Sequence, residues 1–77
     1  MSGAADHELD ATGLKCPMPI LRARRALKQL TVGARLLVRV DDPASVKDFP
    51  AFCETTGHVL EDAAEVEGEF SFLIRKA

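Results

Sequence analysis

The sequence contains no tryptophan and no tyrosine, so its four phenylalanines are the only large aromatic side chains. Proteins that bind single-stranded nucleic acid usually combine a positively charged groove with aromatic side chains on which bases stack. The formal net charge of -2 also provides no general attraction for phosphates or for an anionic membrane surface. These absences argue against direct nucleic-acid binding, and RNA binding through a basic helix is retained only as the weaker alternative.

Long apolar segments and a secretion signal are also missing. No apolar run approaches the roughly 20 residues that a membrane-spanning helix requires, and residues 1–8 are small and polar, unlike a signal peptide. We therefore expect a cytoplasmic protein without membrane association. The length of 77 residues allows a single domain, 1–77, of which we expect residues 1–6 to be flexible. A domain of this size has little room for a deep pocket.

Cysteine is scarce, with Cys16 and Cys53 the only two in the chain. They are far apart in sequence, and neither forms a CxxC pair or a spacing typical of a metal site with His7 and His58. We therefore expect no metal and no cofactor. In a reducing cytoplasm both cysteines should be thiols, although the sequence leaves a disulfide between them open.

The hydrophobic pattern predicts six elements in one unit, without repeats or linkers. They are a strand from His7 to Ala11, a helix that begins near Cys16 and stops at Val32-Gly33, a half-buried strand from Arg35 to Val40, a helix from Asp42-Pro43 to about Thr56, and strands from His58 to Val66 and from Glu69 to Lys76. Two amphipathic helices each need an apolar sheet surface. The simplest fold is an α+β two-layer sandwich in the order β-α-β-α-β-β, with a four-stranded mixed sheet covered on one face by both helices.

The faces of the two helices suggest different roles for their residues. In the second helix, Val46, Phe49 and Cys53 are three and four positions apart, so we assign Cys53 to the core rather than to a site. In the first helix, a basic face lies opposite the apolar one. Such a face is most often solvated surface, but its closeness to Cys16 also indicates partner docking. The docking candidates are Met18, Leu21, Arg22, Arg24, Arg25 and Lys28.

The segment from Leu14 to Pro19 places Cys16 at the start of the first helix. Pro17 and Pro19 lack N–H groups that a first helical turn leaves unpaired, so they preset the turn without losing hydrogen bonds. The free N–H groups of the first turn, at Met18 and Ile20, would then be available to a negative sulfur. The helix dipole, Lys15 and the basic face would favour the thiolate further. We therefore expect Cys16 to be exposed and reactive, with a lowered pKa.

The residues around Cys16 lack a histidine partner, a second cysteine and a carboxylate constellation. A stand-alone hydrolase or disulfide oxidoreductase would need such partners. A single exposed sulfur nucleophile on a small scaffold instead suits the transfer of a group from one protein to another. Cys16 is therefore the predicted catalytic residue, supported by Lys15, Pro17 and Pro19.

These segments together resemble the TusA family of sulfur carriers, which also includes proteins named SirA. The resemblance covers nearly the whole chain and is carried by the stretch from Leu9 to Pro19 with its Cys-Pro-x-Pro motif, by Asp41-Asp42-Pro43-Ala44 and Asp48-Phe49-Pro50, and by the ending Phe72-Leu73-Ile74-Arg75-Lys76. It implies a two-layer sandwich like the C-terminal domain of translation initiation factor three. It also implies that Cys16 carries a persulfide.

The resemblance further implies a sulfur relay, with a sulfurtransferase-type carrier rather than a stand-alone enzyme. The implied sulfur donor is a cysteine desulfurase or a rhodanese-like protein, and the acceptor is a downstream relay protein. The sulfur would serve transfer RNA 2-thiouridine synthesis or sulfur oxidation and trafficking, and we expect a monomer when free. The alternative from another functional class is a regulatory interaction module in which Cys16 is a redox switch, with Cys53 as its candidate partner.

Overall fold

The structure, a computed structural model, describes residues 5–77. In chain order these residues form β1 (His7–Asp10), α1 (Met18–Lys28), β2 (Arg35–Val40), α2 (Ser45–Thr56), β3 (Val59–Val66) and β4 (Glu69–Arg75). The predicted order of elements is confirmed. The helices begin later than predicted, α1 at Met18 rather than near Cys16, and α2 at Ser45 rather than at Asp42. α1 also ends earlier, at Lys28 rather than at Val32-Gly33.

The four strands form one mixed sheet in the order β1-β2-β4-β3. β1 and β2 are parallel, so the chain must cross over between them, and α1 is that crossover. β4 is antiparallel to both of its neighbours. Glu67 and Gly68 join β3 to β4 with φ values of 50° and 83°, as a two-residue type I′ hairpin turn requires.

The core lies between one face of the sheet and both helices, as the two-layer prediction requires. Phe49 of α2 stacks on Phe72 of β4 with ring centroids 4.8 Å apart, and both rings are buried. Around this pair lie buried apolar side chains from both helices and the two central strands: Ala23, Leu27, Leu36, Val38, Val40, Cys53 and Ile74. Burial raises the pKa of the Cys53 thiol, and the predicted core position of this residue is confirmed.

The buried face of α2 differs from the prediction at one position. Val46, expected beside Phe49 and Cys53, is 50% exposed, and Ser45 is buried instead. Ser45, Phe49 and Cys53 are four residues apart and therefore follow one ridge of the helix, which leaves Val46 at its side. Pro50 lies inside α2, which nevertheless runs to Thr56.

The start of the described chain is held in place by β2. The Asp6 N–H donates to the Arg35 carbonyl at 3.0 Å, and the Asp6 carboxylate accepts the Arg35 N–H at 3.1 Å. Of the segment 1–6 that we expect to be flexible, residues 1–4 lie outside the described residues, and the flexibility of the rest stays a prediction. Neither α1 nor α2 has the length and apolar character needed to cross a membrane.

Removing the Phe49 ring should be the most disruptive core change in α2. Phe49→Ala leaves a cavity against Phe72 and should lower the free energy of unfolding by about 3–5 kcal/mol. Val46→Ala is the matched control in the same helix, and because Val46 is half exposed it should change the unfolding free energy by only about 0.5 kcal/mol. Urea denaturation measures both, and equal losses would contradict the described position of α2.

Candidate functional site

Cys16 lies in the loop between β1 and α1. The Ala11 N–H donates to the Arg39 carbonyl at 2.8 Å, which extends the pairing of β1 with β2 by one residue. The loop then turns at Gly13, whose φ of 82° favours glycine. The Met18 N–H closes the loop by donating to the Lys15 carbonyl at 2.8 Å. Backbone bonds therefore fix both ends of the segment that contains the cysteine.

Two carboxylates from the corner between β2 and α2 hold this loop. Asp42 is buried, and its carboxylate accepts the Cys16 N–H at 2.7 Å and the Ala44 N–H at 3.3 Å. The neighbouring Asp41 accepts the Gly13 N–H at 3.0 Å. The predicted helix-start role of Asp42 is therefore only part of its function, because the same side chain fixes the cysteine backbone.

The helix start differs from the predicted arrangement in a way that matters for the sulfur. Pro17 is the N-cap residue of α1, Pro19 is buried in its first turn, and the peptide bond between Cys16 and Pro17 is cis. The Met18 N–H, expected to be available to a negative sulfur, donates to the Lys15 carbonyl instead. That part of the prediction was wrong because the loop closes on itself before the helix begins.

The expected lowering of the Cys16 pKa is also wrong. Cys16 is exposed as predicted, but its pKa is raised, first by the hydrogen bond that its thiol makes to Asp48, then by desolvation and by the negative charges of Asp48 and Asp42. Close carboxylates disfavour a thiolate. Lys15 and the basic face of α1 do not overcome them, and the free cysteine is a thiol at neutral pH.

An open groove between α1 and α2 extends from Cys16 and has a volume of about 450 Å³. Its wall on the side of α1 is formed by Pro17, Ile20, Leu21 and Arg24, and its wall on the side of α2 by Asp48, Ala51, Phe52, Thr55 and Thr56. Apolar side chains make up most of the groove, with one cationic side chain and one carboxylate on opposite walls.

The structure divides the predicted site residues into two groups. Cys16, Pro17, Leu21 and Arg24 line the groove. Outside the groove lining, the predicted side chains that are exposed are Lys15, Met18, Arg22, Arg25 and Lys28. Pro19, the remaining supporting residue, also lies outside the lining and is buried in the first turn of α1. The basic face predicted for α1 is therefore present, but only Arg24 is combined with the cysteine.

The α2 wall of the groove was not predicted from the sequence. Asp48, Phe52 and Thr55 are four and three residues apart, with Ala51 and Thr56 beside them. This is the spacing of one helix face, so the pattern could have shown that they lie together. The pattern does not show that this face is turned toward Cys16.

Neither Cys53 nor the potential metal-binding side chains of residues 5–77 form a second candidate site. Cys53 is a free, buried thiol, and Cys16 is a free, exposed one. Among residues 5–77, no group of three or more His, Cys, Asp or Glu side chains is arranged to hold a metal ion.

Comparison with known proteins gives consistent matches over nearly the whole chain. The family model described as sulfurtransferase TusA matches residues 7–76. The chain is 51% identical over 72 residues to the sulfur carrier protein TusA of Allochromatium vinosum, a match that covers 94% of this chain and 95% of that protein. The crystal structure of a SirA-like protein from Desulfitobacterium hafniense superposes with a TM-score of 0.80 at 30% identity, covering 90% of this chain and 95% of that one.

The two carboxylates that hold the loop should contribute unequally to stability. Asp42→Ala leaves the Cys16 and Ala44 N–H groups without their partly buried acceptor, and should lower the free energy of unfolding by about 1–3 kcal/mol. Asp41→Ala is the matched control, because its bond to Gly13 is exposed, and should cost at most about 0.5 kcal/mol. Denaturant unfolding compares the two, and a larger loss for Asp41→Ala would contradict the geometry.

Proposed function

Since the chain belongs to the sulfurtransferase TusA family, we propose that it is a sulfur carrier that holds sulfane sulfur as a persulfide on Cys16 and transfers it between partner proteins in a sulfur relay. The observation that supports this most is an exposed cysteine at the end of an open groove, with its backbone held by Asp42. A fixed and accessible sulfur atom is what transfer between two proteins requires.

Loading and unloading are two thiol exchange reactions without net oxidation. In loading, the Cys16 thiolate attacks the outer sulfur of a donor persulfide, the sulfur–sulfur bond of the donor breaks, and the donor cysteine leaves as a thiolate. The proton lost by the Cys16 thiol balances the one gained by the donor cysteine. In unloading, an acceptor thiolate attacks the outer sulfur and Cys16 is the leaving group.

The groove also bears on the alternative of a redox switch. A disulfide between Cys16 and Cys53 would require the buried Cys53 to leave the core or Cys16 to leave the loop that Asp42 holds. In the described part of the chain, Cys16 has no second cysteine beside it in the groove lining. A carrier needs no resolving cysteine, whereas a disulfide switch within the chain does, so we favour the carrier.

The partners that fit this proposal are proteins. The sulfur donor would be a cysteine desulfurase or a rhodanese-like protein, and the acceptor a downstream relay protein. Leu21 and Arg24 of the groove would contact a bound segment directly, and the exposed basic residues of α1 would attract a partner with an acidic surface. Nucleic acid is a poor fit because, within residues 5–77, Phe52 is the only aromatic side chain that lines the groove.

The remaining parts of the proposal follow from its chemistry. Two free thiols suit a reducing compartment, which supports a cytoplasmic location. The protein would act as a carrier rather than as a stand-alone enzyme, and as a monomer when free. Its sulfur would go to transfer RNA 2-thiouridine synthesis or to sulfur oxidation and trafficking.

Incubation with a persulfidated donor should add one sulfur atom to Cys16. Mass spectrometry of the intact protein and its peptides should show this addition in the wild type and in Cys53→Ser, because Cys53 is buried, and should show none in Cys16→Ser. Treatment with a reducing agent should remove the added sulfur. Equal loading of Cys16→Ser would contradict the proposal.

Charge reversal on α1 tests whether partners use the groove. Arg24→Glu should slow loading from a persulfidated cysteine desulfurase more than Arg22→Glu does, because Arg24 lines the groove and Arg22 does not. Both variants change the net charge equally, so general attraction between the proteins affects them alike. Equal rates for the two variants would show that the basic face attracts partners without the groove being used.

A further inference from the structure

Asp48 is the charged side chain that raises the pKa of the Cys16 thiol most. It lies in the first turn of α2, is half-buried, and lines the same groove between α1 and α2 as Cys16. Asp42, the other nearby carboxylate, is already bound to two backbone N–H groups. Among residues 5–77, no lysine or arginine is within ion-pair distance of Asp48.

The basic side chains nearest to Cys16 do not neutralise the Asp48 carboxylate. Arg24 lines the opposite wall, and Lys15 precedes the cysteine in the loop, but neither forms an ion pair with Asp48. A thiolate formed at Cys16 in the free protein would therefore face an uncompensated negative charge. A nearby carboxylate disfavours ionisation of the thiol, so the proton remains on the sulfur.

From this geometry we propose that Asp48 is a positioning residue that gates Cys16: its carboxylate holds the sulfur of the free carrier as an unreactive thiol, and a relay partner that places a cation beside Asp48 releases the thiolate. The proposal rests on the proposed function, because it concerns the nucleophile of the transfer reaction. It adds the requirement that the partner carries a lysine or arginine near its own reacting cysteine.

The gate has a chemical advantage in each state of the protein. The thiolate is the form of cysteine that reacts with oxidants and electrophiles. An exposed carrier cysteine that remains protonated is therefore protected between transfers. Once ionised, a thiol of higher pKa is the stronger nucleophile. With the partner's cation at Asp48, the Cys16 proton passes to the departing donor thiolate. The donor sulfur–sulfur bond breaks as the Cys16 persulfide bond forms, so protons and electrons balance.

The two charged side chains of the groove favour one arrangement of charges on a bound partner segment. The carboxylate of Asp48 is on the α2 wall and the guanidinium of Arg24 is on the α1 wall. A segment with a cation toward α2 and an acidic side chain toward α1 complements both walls. A segment of the opposite polarity would place like charges together at each wall and bind more weakly.

The rate of iodoacetamide reaction with Cys16, followed by peptide mass spectrometry over a range of pH, tests the gate without any sulfur donor. In Asp48→Asn the midpoint of the rate profile should shift to lower pH, and the reaction at neutral pH should be severalfold faster than in the wild type. Asp48→Glu keeps the charge and should retain the wild-type profile. A profile for Asp48→Asn that matches the wild type would overturn the proposal.

Two further variants distinguish the effect of the Asp48 charge from the effects of net charge and of altered stability. Asp62→Asn removes the same charge from β3, where Asp62 pairs with Leu73 on the sheet face turned away from the helices, and it should leave the profile unchanged. Asp48→Ser is a second neutral replacement suited to a first helical turn and should shift the profile like Asp48→Asn. A shift found only in a variant whose melting temperature is lowered would overturn the gate.

A pair of short peptides tests the partner's cation. Each carries a persulfidated cysteine, followed in one by lysine and in the other by glutamate. The lysine peptide should load wild-type Cys16 severalfold faster, and this advantage should be lost in Asp48→Asn. An equal advantage in both proteins would overturn the role of Asp48. Because alkylation involves no sulfur transfer, a shifted alkylation profile combined with no loading of Cys16 would instead contradict the proposed function.

Discussion

The hydrogen bond from the Cys16 amide to the buried carboxylate of Asp42 is the constraint on which the site depends. It joins the loop after β1 to the corner after β2, two segments that the parallel pairing of their strands brings to the same edge of the sheet. Because Asp42 also binds the Ala44 N–H just before α2, the cysteine and the second helix are positioned together. The groove between the helices therefore has a sulfur atom at a defined place, although the loop itself is exposed.

A domain this small has little room to enclose a reaction, and the sulfur that we propose as the reactive atom belongs to an exposed residue, Cys16. The stacked pair of Phe49 and Phe72 fixes α2 against the sheet, and α2 in turn carries Asp48 to the sulfur. The same helix thus supplies a core residue on one face and an electrostatic contact on another. A resting thiol with a carboxylate beside it is a different starting point from the thiolate that helix-start cysteines often form. In our account the partner protein completes the site.

The architecture could be predicted from the sequence because apolar residues alternate along the strands and recur at three and four positions along the helices. These patterns indicate which face of each element is buried. The strand Arg35–Val40 and the last strand Glu69–Arg75 follow this pattern closely, and Cys16 stood out through its two prolines. Val46 was misassigned because two neighbouring helix ridges both contain apolar residues. The pKa of Cys16 was misjudged because Asp48 is distant in the chain, and nothing in the local motif shows that α2 brings its carboxylate to the sulfur.

A crystal structure of the protein after loading with sulfur would show which atom holds the added sulfur. We predict one additional sulfur atom bonded to Cys16 and lying in the groove between α1 and α2, with the bond from the Cys16 amide to Asp42 preserved. Additional sulfur on Cys53, or a loaded Cys16 whose loop has left Asp42, would contradict it.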